Sequence, residues 1–417
     1  MKHVLLSAVA MLFAVHAHAQ TLSLEDAQHR AVERSRQVAA QNAAVAASRE
    51  MAVAAGRLPD PVLRAGVDNL PVTGPDAYST TRDFMTMRRI GVMQEWTRGE
   101  KRELRAQRFG QEAEKSAAEK AGVIAAVERS TALAWLERYY AEAMARVIAE
   151  QAAQSGAEIV AAEGAYRGGR GTQADVIGAH AALAGLEDRA SEQRRRVRVA
   201  QANLARWVGE GAEAPLGAPP DLGRIRLDHA ALEAELRGHP DIAALDRQAD
   251  IAATEARLAQ ANATPDWSVE FAYQLRGSQF SNMVSIGFAV PLPWDRGNRQ
   301  DREIAAKLAQ AEQARAQREE LLRAHTAEVR AMLAEWESGR ERLARYEREL
   351  VPLAGERTRA ATAAYQGGKA GIAELLAARR GETETRLQAV QLEADTARAW
   401  AQLNYLAPGD SHAEHAK

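Results

Sequence analysis

Two acids stand at matching places in this chain. Tyr166-Arg-Gly-Gly-Arg170 is followed by Asp175-Val-Ile177, and Tyr365-Gln-Gly-Gly-Lys369 is followed by Glu374-Leu-Leu376. Thr172-Gln-Ala-Asp175 has the form of a capping box, and acids in a helix's first turn offset its dipole. The pairs Gly168-Gly169 and Gly367-Gly368 supply the positive φ that ends a helix. Each pair therefore marks a chain reversal, with Arg170 or Lys369 at an exposed tip. Met85, Met87 and Met93 carry thioethers, which soft ions such as Cu(I) or Ag(I) select, although strand methionines more often simply pack. His412 and His415 fall in a tail expected to be disordered, and His325 falls at a packed helical phase. Asp295-Arg-Gly-Asn-Arg299 reads as helix-start chemistry. The chain has no metalloprotease helix motif, phosphate-cradling loop or nucleophile elbow, and no acid is spaced to a partner base. The reading is not an enzyme, with no cofactor and no resident metal.

These residues sit in a duplicated frame. The tyrosine turns recur 199 residues apart. Ile90-Gly91 with Trp96-Thr-Arg-Gly99 returns as Ile286-Gly287 with Trp294-Asp-Arg-Gly297. Pro59-Asp60 returns as Pro265-Asp266, and Leu24 with Ala27 returns as Leu227 with Ala230. Four anchors in one order, at offsets of 196 to 206, define two repeats. The expected divisions are a signal peptide at 1–19, a first repeat at 20–208, a Pro/Gly-rich linker or small irregular patch at 209–226, a second repeat at 227–407 and a flexible tail at 408–417.

Each repeat reads helix, strand, strand, helix, helix. Helical pattern covers 24–57, 99–165, 172–208, 228–263, 298–365 and 371–406. Val329, Trp336, Leu343 and Leu350 take one heptad position, and Met332, Tyr346 and Leu353 the other. Gly339 fills the remaining slot and would let helices approach closely. Pro352 should kink the run. A helix over 99–165 would extend on the order of 100 Å. Between helices the period drops to two. Trp267, Val269, Phe271, Tyr273 and Leu275 alternate with polar or small residues, and Val284, Ile286, Phe288, Val290 and Leu292 do the same. Such strands of about ten residues with one apolar face have the form of transmembrane β-strands, and equally of a half-buried hairpin. Val62–Leu70 and Phe84–Trp96 occupy the same places in the first half, interrupted by Arg64, Arg88 and Arg89. Keeping Ile90 in phase with Ile286 turns Met85, Met87 and Met93 toward a lumen and Arg88 outward, unless a bulge reverses them. Two hairpins give only four strands, and an open sheet edge in lipid leaves backbone groups unsatisfied. Two, three or four copies would close 8, 12 or 16 strands.

Composition agrees with long solvated helices. Charged residues make up 26% and aromatics 5%, with 54 basic against 56 acidic residues, a balance without the clustered basic face of a nucleic-acid binder. There are no cysteines, hence no disulfide and no lipidated cysteine. Lys2 and His3, the apolar run Val4–Val15 and Ala17-His18-Ala19 form an export signal with the mature chain starting at Gln20.

The duplicated helix–hairpin–helix–helix plan, with its Tyr-x-Gly-Gly turn followed by an acid and two aliphatics, resembles the TolC family along essentially the whole mature chain. Leu58-Pro-Asp-Pro61, Asp68-Asn-Leu-Pro71, Met85-Thr-Met87 and Pro291-Leu-Pro293 resemble its heavy-metal, CzcC/CusC-like branch. The resemblance implies a mainly α, α+β chain whose coiled-coil helices form a periplasmic tunnel and whose hairpins join a twelve-stranded outer-membrane β-barrel shared by three protomers. It implies a homotrimer in outer-membrane lipid, a periplasmic adaptor (membrane fusion) protein and a proton-driven RND-type inner-membrane pump. The expected function is a passive exit duct for heavy-metal cations. The alternatives are a duct for drugs or secreted polypeptides, or a soluble periplasmic coiled-coil adaptor. Asp175 and Glu374 match the family's acidic gate positions, where six carboxylates of a trimer would favour cations. Gly168, Gly169, Arg170, Gly367, Gly368 and Lys369 match its adaptor-contact tips. Ala370 stands where the family often has an arginine, so the usual closed-state ion pair is not carried over.

Overall fold

The computed structural model describes residues 21–227 and 232–408. The expected signal peptide at 1–19, the expected mature start at Gln20, the repeat anchor Ala230 and the tail histidines His412 and His415 lie outside the described residues. The elements in order are α1 (Leu24–Arg34), α2 (Arg36–Ala55), β1 (Val62–Asp68), β2 (Met87–Trp96), α3 (Gly99–Arg167) and α4 (Gln173–Val208). They continue with α5 (Leu232–Arg237), α6 (Pro240–Asn262), β3 (Trp267–Leu275), β4 (Met283–Ala289), α7 (Gln300–Arg345), a π-turn (Tyr346–Leu350), α8 (Val351–Gln366) and α9 (Ile372–Asn404).

Two expected helices are divided. The stretch 24–57 breaks at Ser35, whose backbone is extended at ψ 114. The stretch 228–263 breaks at Gly238-His239, because Pro240, which has no N–H, opens a new helix at its first turn. Phe84, Met85 and Thr86 precede β2, held instead by Asn69, whose carbonyl accepts from Thr86 Oγ1 at 2.9 Å. β4 stops at Ala289, since Pro291 and Pro293 donate nothing to a ladder. At Pro352 the heptad run stays helical through a change of helix type. A π-turn absorbs the missing donor, with the Val351 N–H reaching back five residues to Tyr346 O.

The chain folds into two compact units, and each takes segments from both halves of the sequence. Among the described residues, the first holds 21–35, 126–227 and 330–406. Its interior is pinned by three tryptophans that donate to backbone carbonyls. Trp135 Nε1 reaches Leu22 O at 3.0 Å, Trp336 Nε1 reaches Leu222 O at 3.1 Å, and Trp400 Nε1 reaches Arg224 O at 2.8 Å. The first two are one interaction made twice, a tryptophan of a long helix holding an incoming leucine. The segment 209–226 is an irregular patch tied into this unit. Leu22 pairs with Leu216, Arg34 donates to Val208 O, Arg138 donates to Ala212 O, and Arg226 N–H donates to Asn404 Oδ1.

Gly339 does what its heptad slot implies. A Cβ there would meet Thr396 Oγ1 at 2.5 Å, so α7 lies against α9 with no room for a methyl group. Val329 and Trp336 are buried, yet Leu350 and Leu353 on the same seam are 39% and 59% exposed. One chain does not cover the whole seam.

The second unit holds 36–125 and, among the described residues, 232–329. All four strands form one antiparallel sheet in the order β1-β2-β3-β4, with β1 and β4 as its edges. Lys101 closes its base. The ammonium, 4% exposed, donates to Thr264 O at 2.7 Å and Asp266 Oδ2 at 2.8 Å, while Arg98 N–H meets Asp266 Oδ1 at 3.0 Å. Burial alone would raise the Asp266 carboxyl, but these donors outweigh it and hold it below its usual range.

Gly339→Ala is expected to lower stability. Helix propensity gains about 1 kcal/mol, but overpacking a filled site costs about 1–3 kcal/mol. Denaturation of Gly339→Ala with and without Thr396→Ala checks this, the second change removing the obstructing hydroxyl and restoring stability.

Candidate functional site

Two places carry chemistry, one in each unit. At the helix tips both turns close with the same hydrogen bonds. Gly169 N–H donates to Tyr166 O at 3.0 Å and Arg170 N–H to Ala165 O at 2.9 Å. Gly368 N–H donates to Tyr365 O at 3.0 Å and Lys369 N–H to Ala364 O at 2.9 Å. This is the Schellman closure. The second glycine of each pair takes the positive φ, +70° at Gly169 and +68° at Gly368, whereas Gly367 sits at −78°. The two tips pack together through Ala162, Ala179 and Ile372, with Val176, Tyr365 and Leu376 around them. Tyr365 donates to Ala161 O at 3.2 Å, while Tyr166 stays exposed.

The matching acids are not in matching states. Asp175 completes its capping box, accepting the Thr172 N–H at 2.8 Å and the Thr172 hydroxyl at 2.8 Å, and returning its own N–H to Thr172 Oγ1 at 3.2 Å. The Thr172 N–H and hydroxyl hold its carboxyl below the ordinary value of 3.8. At α9 the N-cap is Gly371, which has no side chain to cap with, and Glu374 is exposed. Deeper in the same bundle, Glu158 is buried beside Arg379 at 3.2 Å. Burial pushes the Glu158 carboxyl up, with Arg379 pulling against it. Thr383 donates to Gln151 and Arg386 to Glu150, continuing a polar seam between α9 and α3. Spacing gave no hint of this seam, because its partners come from distant parts of the chain.

The sheet is inside out by the standard of a soluble domain. Register places Val92, Phe271 and Ile286 in one row, and Ile90, Tyr273 and Val284 in the next. No bulge interrupts the pairing. This apolar face is the exposed one, with Ile286 at 63% and Phe288 at 74%, while Ala272 on the other face is 1% exposed. Arg88 and Gln94 are its polar exceptions, each near a strand end. Trp96 and Trp267 stack on it at 5.1 Å where the strands meet the helices. The opposite face carries an ion network, with Glu270 meeting Arg64 at 3.2 Å and Arg89 at 3.6 Å, and Arg89 meeting Asp68 at 3.4 Å. Two of the three interrupting arginines are thereby explained. Met87 and Met93 lie on this polar face, opposite Asp68 and Glu270. Met85 lies in the loop before the strand.

Long helical hairpins joined to two outward-apolar β-hairpins make up the fold of the TolC-like outer-membrane channels. VceC from Vibrio cholerae superposes with a TM-score of 0.76 at 21% identity, over 93% of this chain and 96% of that one. CusC superposes with a TM-score of 0.77 at 15% identity, over 93% and 92%. The open-state MtrE channel of Neisseria gonorrhoeae does so with 0.76 at 16%, over 93% and 89%. At these identities the fold is what is shared. Residues 231–407 match the sequence profile of the outer membrane efflux protein family. No curated protein matches the chain. Among the described residues no helix is long and apolar enough to cross a membrane.

Because Asp175's pKa is depressed, its cap contribution is complete above its ordinary value of 3.8 and is lost as pH falls through the lowered pKa. Thr172→Ala should speed amide exchange in the first turn of α4 at neutral pH and leave the first turn of α9 unchanged, as read by hydrogen-exchange mass spectrometry.

Proposed function

We propose that this chain is the outer-membrane channel of a tripartite efflux system, a passive exit duct rather than an enzyme. The observation that carries this reading is the inverted sheet. An apolar face exposed across four strands suits lipid, and a polar face bearing Arg64, Arg89 and Glu270 suits a water-filled lumen. Both edges, β1 and β4, must then be closed by other copies. Three copies give the twelve strands that the family resemblance implies, in the outer membrane with a helical tunnel in the periplasm. The soluble-adaptor alternative requires a single helical hairpin, and this chain has two.

The two halves, 20–208 and 227–407, are read as copies of one unit, so the contact within the chain is the template for the contact between chains. Ile90 opposite Tyr273 becomes Ile286 of one copy opposite Val67 of the next. Lys101 with Asp266 becomes Arg299 with Asp60. The chain has no cysteine background, so Ile286→Cys with Val67→Cys should give a covalent trimer on oxidation, and the unmodified protein a heat-labile trimer in detergent extracts of the outer membrane. A soluble monomer with no cross-link overturns the duct.

The cargo is read as heavy-metal cations. Support comes from the short loop segments at 58–61, 68–71, 85–87 and 291–293, and from Met87 and Met93 beside acids on the polar face. A deletion strain should gain sensitivity to metal salts. Sensitivity to dyes and detergents alone would favour a drug or polypeptide duct. The tips Gly168, Gly169, Arg170, Gly367, Gly368 and Lys369 are assigned to a periplasmic adaptor, which links the duct to an inner-membrane pump. Asp175 and Glu374 are assigned to a cation-selective mouth. Glu374, unused by any cap, is the more available of the two. Asp175→Ala with Glu374→Ala should reduce cation preference and raise leakage in planar bilayers, and unchanged conductance and preference would remove the gate role.

A further inference from the structure

A histidine pair in the second unit lies outside every role given so far. His239 caps the amino end of α6, Asp241 follows in its first turn, and His325 reaches them from α7. One ligand atom from each lies within 4.8 Å of the others. The imidazoles meet edge to face at 4.9 Å. His239 Nδ1 accepts the Asp241 N–H at 3.2 Å and stands 3.8 Å from Asp241 Oδ2, so an ion taken by this nitrogen would replace the cap bond. His239 is 8% exposed, while Asp241 is on the surface at 57%.

We propose that His239, Asp241 and His325 form a binding site for a divalent transition-metal ion of the zinc type. Two imidazoles and a carboxylate are the donor set of an open zinc site, leaving a position for water. Zinc–ligand bonds of about 2.0–2.1 Å place tetrahedral donors roughly 3.4 Å apart, so the ion draws these atoms together by about 1 Å. The side chains able to move are those of Asp241 and His325, while His239 stays packed. The helix dipole opposes a cation at this end with roughly half a charge, and the full charge of Asp241 exceeds it.

The site has a mechanical consequence. α6 and α7 run antiparallel, joined by Glu255 with Lys307 at 2.8 Å, by Ala252 against Ala311 and Ala314, and by Asp246 with Arg318 at 2.7 Å. His239 with His325 is the next rung. An ion there pins the end of the pair whose other ends lead to β3 and from β4. The first half has no counterpart, since the 201-residue offset of Trp135 and Trp336 sets Ile124, which is buried, in place of His325. Such an ion is resident, and its binding does not depend on the nature of the cargo.

The test is a zinc titration of the detergent-purified full chain without a histidine tag, carrying His412→Ala and His415→Ala and using a competing chromophoric chelator. One zinc per chain is expected, with a rise in melting temperature. His325→Gln keeps the volume, and His239→Asn keeps an N-cap. Each should weaken binding at least tenfold and abolish the thermal shift, while His29→Ala changes neither. Absence of stoichiometric zinc, or tight binding surviving in either variant, overturns the site. A strain panel showing no metal export would leave zinc binding untouched, so the two readings fail separately.

Discussion

A sheet that turns its apolar side outward has no stable place in water. Ile90, Val92, Phe271, Tyr273, Ile286 and Phe288 line one exposed face, while the charges of Arg64, Arg89 and Glu270 gather on the other. Exchanging the faces is impossible without slipping the register by one residue, which would put the ion network into the apolar surroundings. The solvent must therefore supply the missing layer. Lipid does so only if every backbone donor and acceptor is paired, and β1 and β4 each have an open side. On the proposed reading, closure by other copies and a lumen lined by the polar face both follow from that single constraint.

The helical unit answers a different constraint. Its helices are long and rich in alanine, so their packing rests on close approach and a few fixed polar anchors rather than on a thick core. Gly339 against Thr396 shows the approach, and the tryptophan bonds from Trp135 and Trp336 show the anchors. Both anchors land on irregular backbone, which would otherwise bring unsatisfied carbonyls into the interior. Leu350 and Leu353 on the heptad seam stay exposed, apolar surface that the described residues of one chain leave uncovered.

The two tips are alike in the way that the repeat read in the sequence implies, and they differ in detail. Both turns use the same closure, yet Asp175 is engaged in a capping box that Glu374 cannot form, because glycine replaces threonine at the cap. Tyr365 is anchored by its bond to Ala161 O, whereas Tyr166 is exposed. The histidine cluster on α6 and α7 belongs to the second half alone.

The sequence by itself determined the element order, the strand faces, the tip glycines and the duplication. All of these arise from periodicity or from local backbone demands, which a chain expresses within a few residues. It also pointed Arg88 outward by parity, once Ile90 was phased, while the face of Arg64 came from the register of β1 on β2. Breaks at Ser35 and His239 escaped the reading, because helical periodicity on either side masks a single extended residue, although Pro240 was a usable signal. Only the tertiary structure decided which carboxylate is spent on a cap, which face of the sheet is exposed and which glycine of each pair takes positive φ. Only it joined Glu158 to Arg379 and His239 to His325. Those pairings depend on helix crossing and on the register between distant segments, and no local pattern encodes either.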